Sequence, residues 1–219
     1  MKQDSKNAIL SQIRSGKPAP QPLPEVPSYH FSGDAVEEFI KHLLAVDGRV
    51  VEFKCRADAL AWLKSQPEMD AASHAIYSSA AGIEGNVSEE DISDLHNATK
   101  IEVCVTDAGM GVGEVGAVWV SNKSLRHAAC ALLARRLFVF VDEKNILGGM
   151  HDAYKSIKLR EQQYGSFFTG PSATADIEAI HITGAQGPLA FTALIYNRAN
   201  APDTPELLVN PNADSSQWD

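Results

Sequence analysis

The sequence has few cysteines and no long apolar run, and these two absences narrow the classes of protein that it can encode. Its 3 cysteines form no CxxC pair, so neither a disulfide framework nor an iron–sulfur cluster held by this chain alone is expected. The longest apolar stretches, such as Leu137–Val141, fall far short of the roughly 20 residues that a membrane helix needs. Residues 1–14 are polar and do not resemble a targeting signal. These features predict a cytoplasmic protein without membrane insertion.

Basic residues and catalytic histidine motifs are also scarce. The chain has 19 basic and 28 acidic residues, a net charge of -9, which disfavours binding to the phosphate backbone of nucleic acids. Its 7 histidines form no HxxxH or HxH pair, and no GxSxG motif occurs. The sequence therefore predicts no metal site, no nucleic-acid partner and no serine-hydrolase triad.

Five prolines between Gly16 and Pro27 divide the chain, because proline fixes φ and removes a hydrogen-bond donor. Residues 1–30 are predicted to be a helical arm with a proline-rich linker, residues 31–200 an α/β domain, and residues 201–219 a loosely held tail. The arm has apolar residues on one helical face, namely Ile9, Leu10 and Ile13. It is either an element that docks on the body or on a second subunit, or a frayed terminus.

Helical and strand patterns alternate at short spacing through the body. Ser32–Ala45 and Ala57–Lys64 have helical periodicity, and the β-rich segment Arg49–Phe53 lies between them. Leu137–Val141 is a continuous apolar run, which is typical of a strand that is buried on both faces. The alternation predicts an α/β fold with a parallel or mixed sheet covered by helices.

A glycine-rich segment, Asp107–Ala117, is the first candidate site. Four glycines in eleven residues form either a tight strand–turn–strand or a surface where backbone N–H groups approach a ligand. Under the second interpretation Asp107, Gly113 and Gly116 are ligand-binding candidates. Glu114 is the candidate catalytic residue, as a nucleophile, a general base or an acceptor for a ligand hydroxyl.

A second candidate segment, Thr169–Glu178, combines small hydroxyl residues with two carboxylates behind a Gly-Pro turn. It is either a local capping turn or an anion site. The turn Gly184–Pro188 follows, and is either an ordinary connection or part of the same site. The ligand-binding candidates from these two segments are Gly170, Ser172, Thr174, Asp176, Glu178 and Gly187.

Together these segments resemble the lactate-utilization protein C family, also called the LUD domain or YkgG-like family. Thr169–Glu178 reads TGPSATADIE and is followed by Gly184–Pro188. Together the two segments are similar to the family signature in their order and spacing. Asp107–Ala117 and Leu137–Tyr154 are weaker matches. The sequence departs from the pattern by lacking a histidine and two hydroxyl residues, at Gln186, Val115 and Ala117.

The resemblance implies a fold similar to the NagB/RpiA/CoA-transferase group, a twisted, mostly parallel sheet with helices on both faces. It also implies the role of a non-cluster subunit in a system that oxidises L-lactate to pyruvate, with iron–sulfur oxidoreductase subunits as partners. It names no cofactor and no catalytic residue.

Three functions are compatible with these observations. The first is such a lactate-utilization subunit, in which Glu114, Ser172, Thr174 and Asp176 line a pocket for a small anionic ligand or cofactor. The second is a stand-alone acyl/CoA-transferase-like enzyme that uses Glu114. The third is a non-catalytic assembly or regulatory protein, a homo-oligomer or a partner of another subunit, in which Ser5–Arg14 is the contact element.

Overall fold

The computed structural model describes residues 2–19, 21–27, 31–88, 90–92, 96, 100–158, 161, 164–175, 178, 180, 182–184 and 187–212. Its α-helices are α1 (Lys2–Ser15), α2 (Ala35–Ala45), α3 (Arg56–Lys64), α4 (Ala128–Leu133) and α5 (Met150–Ser156). Its strands are β1 (Arg49–Glu52), β2 (Ile76–Ser78), β3 (Val103–Asp107), β4 (Met110–Val112), β5 (Ala117–Ser121), β6 (Arg136–Asp142), β7 (Ile146–Leu147), β8 (Gly165–Phe168), β9 (Ala173–Thr174), β10 (Ile182–Thr183), β11 (Ala190–Tyr196) and β12 (Leu207–Val209).

The main sheet has the strand order β12-β1-β11-β6-β3-β2 among the described residues. All neighbours from β1 to β2 are parallel, and only the edge strand β12 is antiparallel to its neighbour. The chain crosses from β1 to β2 at the far edge and then returns through β3, β6 and β11. As predicted, Leu137–Val141 forms a central strand, in which Phe138 is 6% exposed and the other four residues are at most 1% exposed. The predicted α/β architecture is confirmed.

The two faces of this sheet pack against different layers, because side chains alternate along each strand. On one face, Leu137, Val139 and Val141 of β6 join a core with α2, α4 and the smaller sheet. On the other face, Phe138 and Phe140 pack with α3. Helices therefore cover both faces, as the sequence predicts.

A smaller sheet, with the order β7-β4-β5-β8, lies on the α2 face. Helix α2 begins where the Asp34 carboxylate accepts hydrogen bonds from the N–H groups of Val36 and Glu37, at 2.8 and 3.1 Å. It buries Val36, Phe39 and Leu43. These contacts place α2 directly over the turn between β4 and β5.

The chain after residue 200 differs in one place from the loosely held tail that the sequence predicts. Leu207–Val209 forms β12 and pairs with Arg49–Val51 of β1. Because side chains alternate along a strand, Leu208 of this segment is half-buried against the core. Two nearby prolines obscure this strand in the sequence. The division into an arm, a body and a tail otherwise stays a prediction.

Candidate functional site

Helix α2 accounts for two of the glycines in the glycine-rich turn. A Cβ atom on Gly113 would lie 2.6 Å from the carbonyl oxygen of Ala35, and one on Gly116 would lie 2.3 Å from the backbone nitrogen of Leu43. Gly116 also has a φ of +60°, a left-handed conformation that favours glycine. The His42 ring adds a contact of 2.8 Å between Nδ1 and the Gly113 carbonyl oxygen. These glycines let the helix backbone touch the turn.

The Glu114 carboxylate lies at the start of α5. Its Oε2 atom accepts a hydrogen bond from the N–H group of Met150 at 2.8 Å, and its own N–H group donates to the Gly148 carbonyl oxygen at 2.8 Å. The side chain is exposed. Glu114 therefore connects the glycine-rich turn to the loop between β7 and α5 through both its backbone and its carboxylate.

The second candidate segment also packs on α2. Gly170 has a φ of +63°, and a Cβ atom there would lie 2.4 Å from the carbonyl oxygen of Val46, the residue after the helix. Thr169 Oγ1 donates to the carbonyl oxygens of Gly116 and Val115, at 3.1 and 3.3 Å. The structure thus brings the two predicted segments into contact at the carboxyl end of α2.

The backbone of Ser172 is already committed to the turn that follows. Its N–H group donates to the Pro188 carbonyl oxygen at 2.8 Å, and its carbonyl oxygen accepts from the Gly184 N–H group at 2.6 Å. A Cβ atom on Gly187 would lie 2.8 Å from the Cβ atom of Ser172. The side chain of Ser172 is half-buried, as is that of Thr174 in the β9–β10 hairpin.

The structure describes Glu178 but not Asp176, the two acidic residues that the sequence predicts in the second candidate segment. Asp176 lies outside the described residues, as does Gln186. Glu178 is exposed and has a φ of +54°.

Asp107 contacts a separate group of residues at the carboxyl edge of the main sheet. Arg56 donates to its carboxylate from Nη1 to Oδ1 at 2.7 Å and from Nη2 to Oδ2 at 3.1 Å. The guanidinium lies over the rings of Phe140 and Tyr196, with its carbon 4.7 and 5.4 Å from their centroids. Burial opposes the charged form, but the hydrogen bonds and the charge of Asp107 hold the pKa of Arg56 above its usual value.

A second arginine lies at the same edge. Arg198 follows β11 and donates from Nε to Glu52 Oε2 at 2.5 Å, while its Nη1 is 3.5 Å from Glu143 Oε1. Sequence reasoning missed both Arg56 and Arg198. The available signal was their position, because each follows a strand of the parallel sheet by a few residues, where open α/β sheets bind ligands.

The described residues contain no group of three or more His, Cys, Asp or Glu side chains arranged to hold a metal ion. Cys104 and Cys130 are buried and Cys55 is half-buried. Within the same residues, every helix is too short or too polar to cross a bilayer.

The doubly covered parallel sheet and the paired loops on α2 define an α/β protein of the class that the sequence motifs predict. The model of the LUD domain matches residues 65–196, which include both candidate segments, and the chain belongs to the LUD domain family. This finding confirms the family resemblance in the sequence.

A solved structure supports the same fold. The crystal structure of a DUF162 family protein from Deinococcus radiodurans superposes with a TM-score of 0.56 at 12% identity, covering 74% of this chain and 96% of that chain. No curated protein matches the chain.

Proposed function

We propose that this protein is a lactate-utilization subunit of the protein C type, which binds no cluster itself and acts with iron–sulfur oxidoreductase subunits in oxidising L-lactate to pyruvate. The observation that carries the proposal is the LUD domain match over residues 65–196. This range contains Thr169–Glu178, the segment most similar to the family signature.

The proposed pocket for a small anion or cofactor lies beside the junction of the two candidate segments. The hydrogen bonds from Thr169 to Val115 and Gly116 support this location, because they join the two segments where Gly116 and Gly170 lie against the carboxyl end of α2. The Ser172 N–H group is used by Pro188, so we assign ligand contact to the hydroxyl groups of Ser172 and Thr174. Asp176 completes the proposed set.

Co-purification tests the partner. The tagged full-length chain, expressed at its natural level in cells grown on L-lactate, should bring down a cysteine-rich partner together with iron and acid-labile sulfide. Cells grown on another carbon source are the control for induction. A preparation from lactate-grown cells that contains neither the partner nor iron would refute the proposed subunit role.

Growth on L-lactate tests the pocket separately. A strain without this gene should fail to grow on L-lactate as the sole carbon source, and the wild-type gene should restore growth. Ser172→Ala should restore it poorly, because the hydroxyl contact to the ligand is lost, whereas Ser32→Ala, at an exposed serine, should restore it fully. Equal growth with both variants would remove Ser172 from the pocket and leave the subunit role intact.

A stand-alone acyl/CoA-transferase-like enzyme is the second candidate, and it depends on Glu114. One carboxylate oxygen of Glu114 accepts the Met150 N–H group, which favours a role in holding α5 over a role as nucleophile. The variant Glu114→Gln distinguishes the two roles, because it keeps an oxygen acceptor for the Met150 N–H group but removes the nucleophilic carboxylate. The enzyme hypothesis predicts loss of acyl transfer from acyl-CoA with an unchanged melting temperature.

A further inference from the structure

Helix α1 presents an unburied apolar stripe. All residues of α1 whose exposure is described, from residue 4 to residue 15, are exposed. The stripe consists of Ile9, Leu10 and Ile13, which are 58%, 37% and 55% exposed. Three large aliphatic side chains on one face are typical of a helix that buries this face against another surface.

The segment of residues 2–17, which contains α1, has a net charge opposite in sign to that of the rest of the chain. Residues 2–17 contain four basic and one acidic side chain, a net charge of +3, while all other residues contain 15 basic and 27 acidic side chains, a net charge of -12. Opposite net charges attract the segment to the body of this protein and speed their encounter. The charge pattern therefore indicates that α1 contacts the acidic α/β domain of this same protein.

The α3 face of the main sheet offers a matching apolar surface. In the edge strand β12, Leu207 and Val209 are 40% and 46% exposed. Leu207 pairs with Val51, which packs on the α3 side of the sheet. Leu207 and Val209, two residues apart on one strand, therefore both project on that face. Beside them, Trp62 of α3 lies between a cavity of about 40 Å³, which Leu207 also lines, and a cavity of about 320 Å³.

The linker leaves the body on the opposite face. Phe31 contacts Gly148, where a Cβ atom would lie 2.5 Å from the Phe31 ring, and Gly148 follows β7 in the smaller sheet on the α2 side. Between Gly16 and Pro27 the five prolines favour an extended, semi-rigid chain of about 3.1 Å per residue. A spacer of this kind is long enough to carry α1 to a neighbouring molecule.

From these four observations we propose that α1 docks on the α3 face of a second copy of this chain, beside β12, and that two copies exchange their arms reciprocally. A two-fold exchange closes the assembly at a dimer, because both arms and both acceptor faces are then occupied. Ile9 and Ile13 insert beside Trp62 and Leu207, and the two linked contacts strengthen each other through their high effective concentration.

The mass of the full-length chain in solution, measured by light scattering across a concentration series, tests the dimer. The wild type should be a dimer whose dissociation constant rises at high ionic strength. Ile9→Asp combined with Ile13→Asp should weaken it by at least about tenfold, since two buried aliphatic side chains are lost. Ser11→Asp, on the opposite face of α1, is the matched control and should dimerise. A monomeric wild type, or a dimer that survives the double change, would overturn the proposal.

The acceptor face is tested by Val209→Asp, with Leu207→Asn as a second variant if the first lowers the melting temperature. Either should weaken the dimer. A mixture of the arm variant with an acceptor variant should form mixed dimers more tightly than either variant associates alone, because one arm and one acceptor face remain intact. An acceptor variant with wild-type affinity, or a mixture without mixed dimers, would exclude this exchange.

Discussion

Arg56 and Asp107 form a bidentate ion pair that joins the start of α3 to the end of β3 across two intervening strands, β11 and β6. Each side chain is less than one-third exposed. Arg56 Nη2 also donates to the Ala81 carbonyl oxygen at 3.0 Å, and the Ala81 N–H group donates to Asp107 Oδ2 at 3.3 Å. The pair therefore holds together three segments that follow β1, β2 and β3.

Replacing Arg56 with methionine is expected to destabilise the fold. The change keeps much of the packing over Phe140 and Tyr196 but leaves the Asp107 carboxylate without its cation. We expect a loss of about 1–3 kcal/mol in the free energy of unfolding, measured by urea denaturation. Arg56→Lys should recover only part of it, because an ammonium group cannot form two parallel hydrogen bonds to the carboxylate.

Lys144→Met is the matched control for this loss of one positive charge, because Lys144 is exposed. It should change the free energy of unfolding by less than about 0.5 kcal/mol. Equal effects of Arg56→Met and Lys144→Met would contradict a structural role for the bidentate pair.

Gly116→Ala should disrupt the contact between the glycine-rich turn and α2. The new methyl group would lie 2.3 Å from the Leu43 backbone nitrogen at a residue with a φ of +60°. Strain and overpacking together should cost on the order of 3 kcal/mol in the free energy of unfolding. Gly109→Ala, between β3 and β4 in the same glycine-rich segment, is the control because its Cβ atom would approach Trp119 only to 3.4 Å. A tolerated Gly116→Ala would contradict the close approach of α2.

The Asp34 cap predicts a pH dependence with a definite sign. Hydrogen bonds from the N–H groups of Glu37 and Val36 hold the pKa of Asp34 below its usual value of 3.8. The folded state therefore binds fewer protons at this group, so its stabilising effect is present above pH 3.8 and is lost as the pH falls through the folded-state pKa. Asp34→Ala should cost about 1 kcal/mol at neutral pH and much less in acid, in denaturation experiments at several pH values.

Asp34→Asn separates the cap from the charge. The asparagine side chain accepts the same hydrogen bonds, so stability at neutral pH should fall only slightly and should show a weaker acid dependence. An alanine variant whose deficit does not diminish in acid would be inconsistent with an ionised cap.

The cysteines should react with a thiol reagent in a fixed order. Cys104 and Cys130 are fully buried, and burial, with a smaller effect of the neighbouring Cys130, raises the pKa of the Cys104 thiol. Cys55 is half-buried. We expect one thiol per native chain to react quickly and all 3 in denaturant, as measured by the absorbance of the released aromatic thiolate. Cys55→Ser should remove the fast phase, and a fast phase that persists in this variant would contradict the buried placement of the other two.

Strong local patterns allowed the central elements to be predicted from sequence. Leu137–Val141 forms the predicted buried strand β6, since a continuous apolar run has few alternatives in an α/β protein. The helix that the sequence predicts from Ser32 begins at Ala35, because Asp34 and not Ser32 supplies the cap. These predictions depended on signals that lie within a few residues of one another.

The roles of the candidate site residues depend on distant contacts, which periodicity does not reveal. The glycines at Gly113 and Gly116 predict either a ligand-facing loop or a strand–turn–strand. The structure has that strand–turn–strand, β4 and β5, and places both glycines against α2, some 70 residues earlier in the chain. The ion pair of Arg56 is not evident in the sequence because its partner, Asp107, is 51 residues away.

The crossing of the chain from β1 to the far edge of the sheet has a consequence for how the protein folds. Arg49 pairs with Thr192 and Glu52 with Ile195, so β1 acquires this neighbour only after about 140 further residues have been synthesised. Its other neighbour, β12, arrives later still. Closing so long a loop is slow compared with forming any local helix or turn. We therefore expect a nascent chain to carry its first strand unpaired through most of translation, and the docking of that strand to limit the rate of folding.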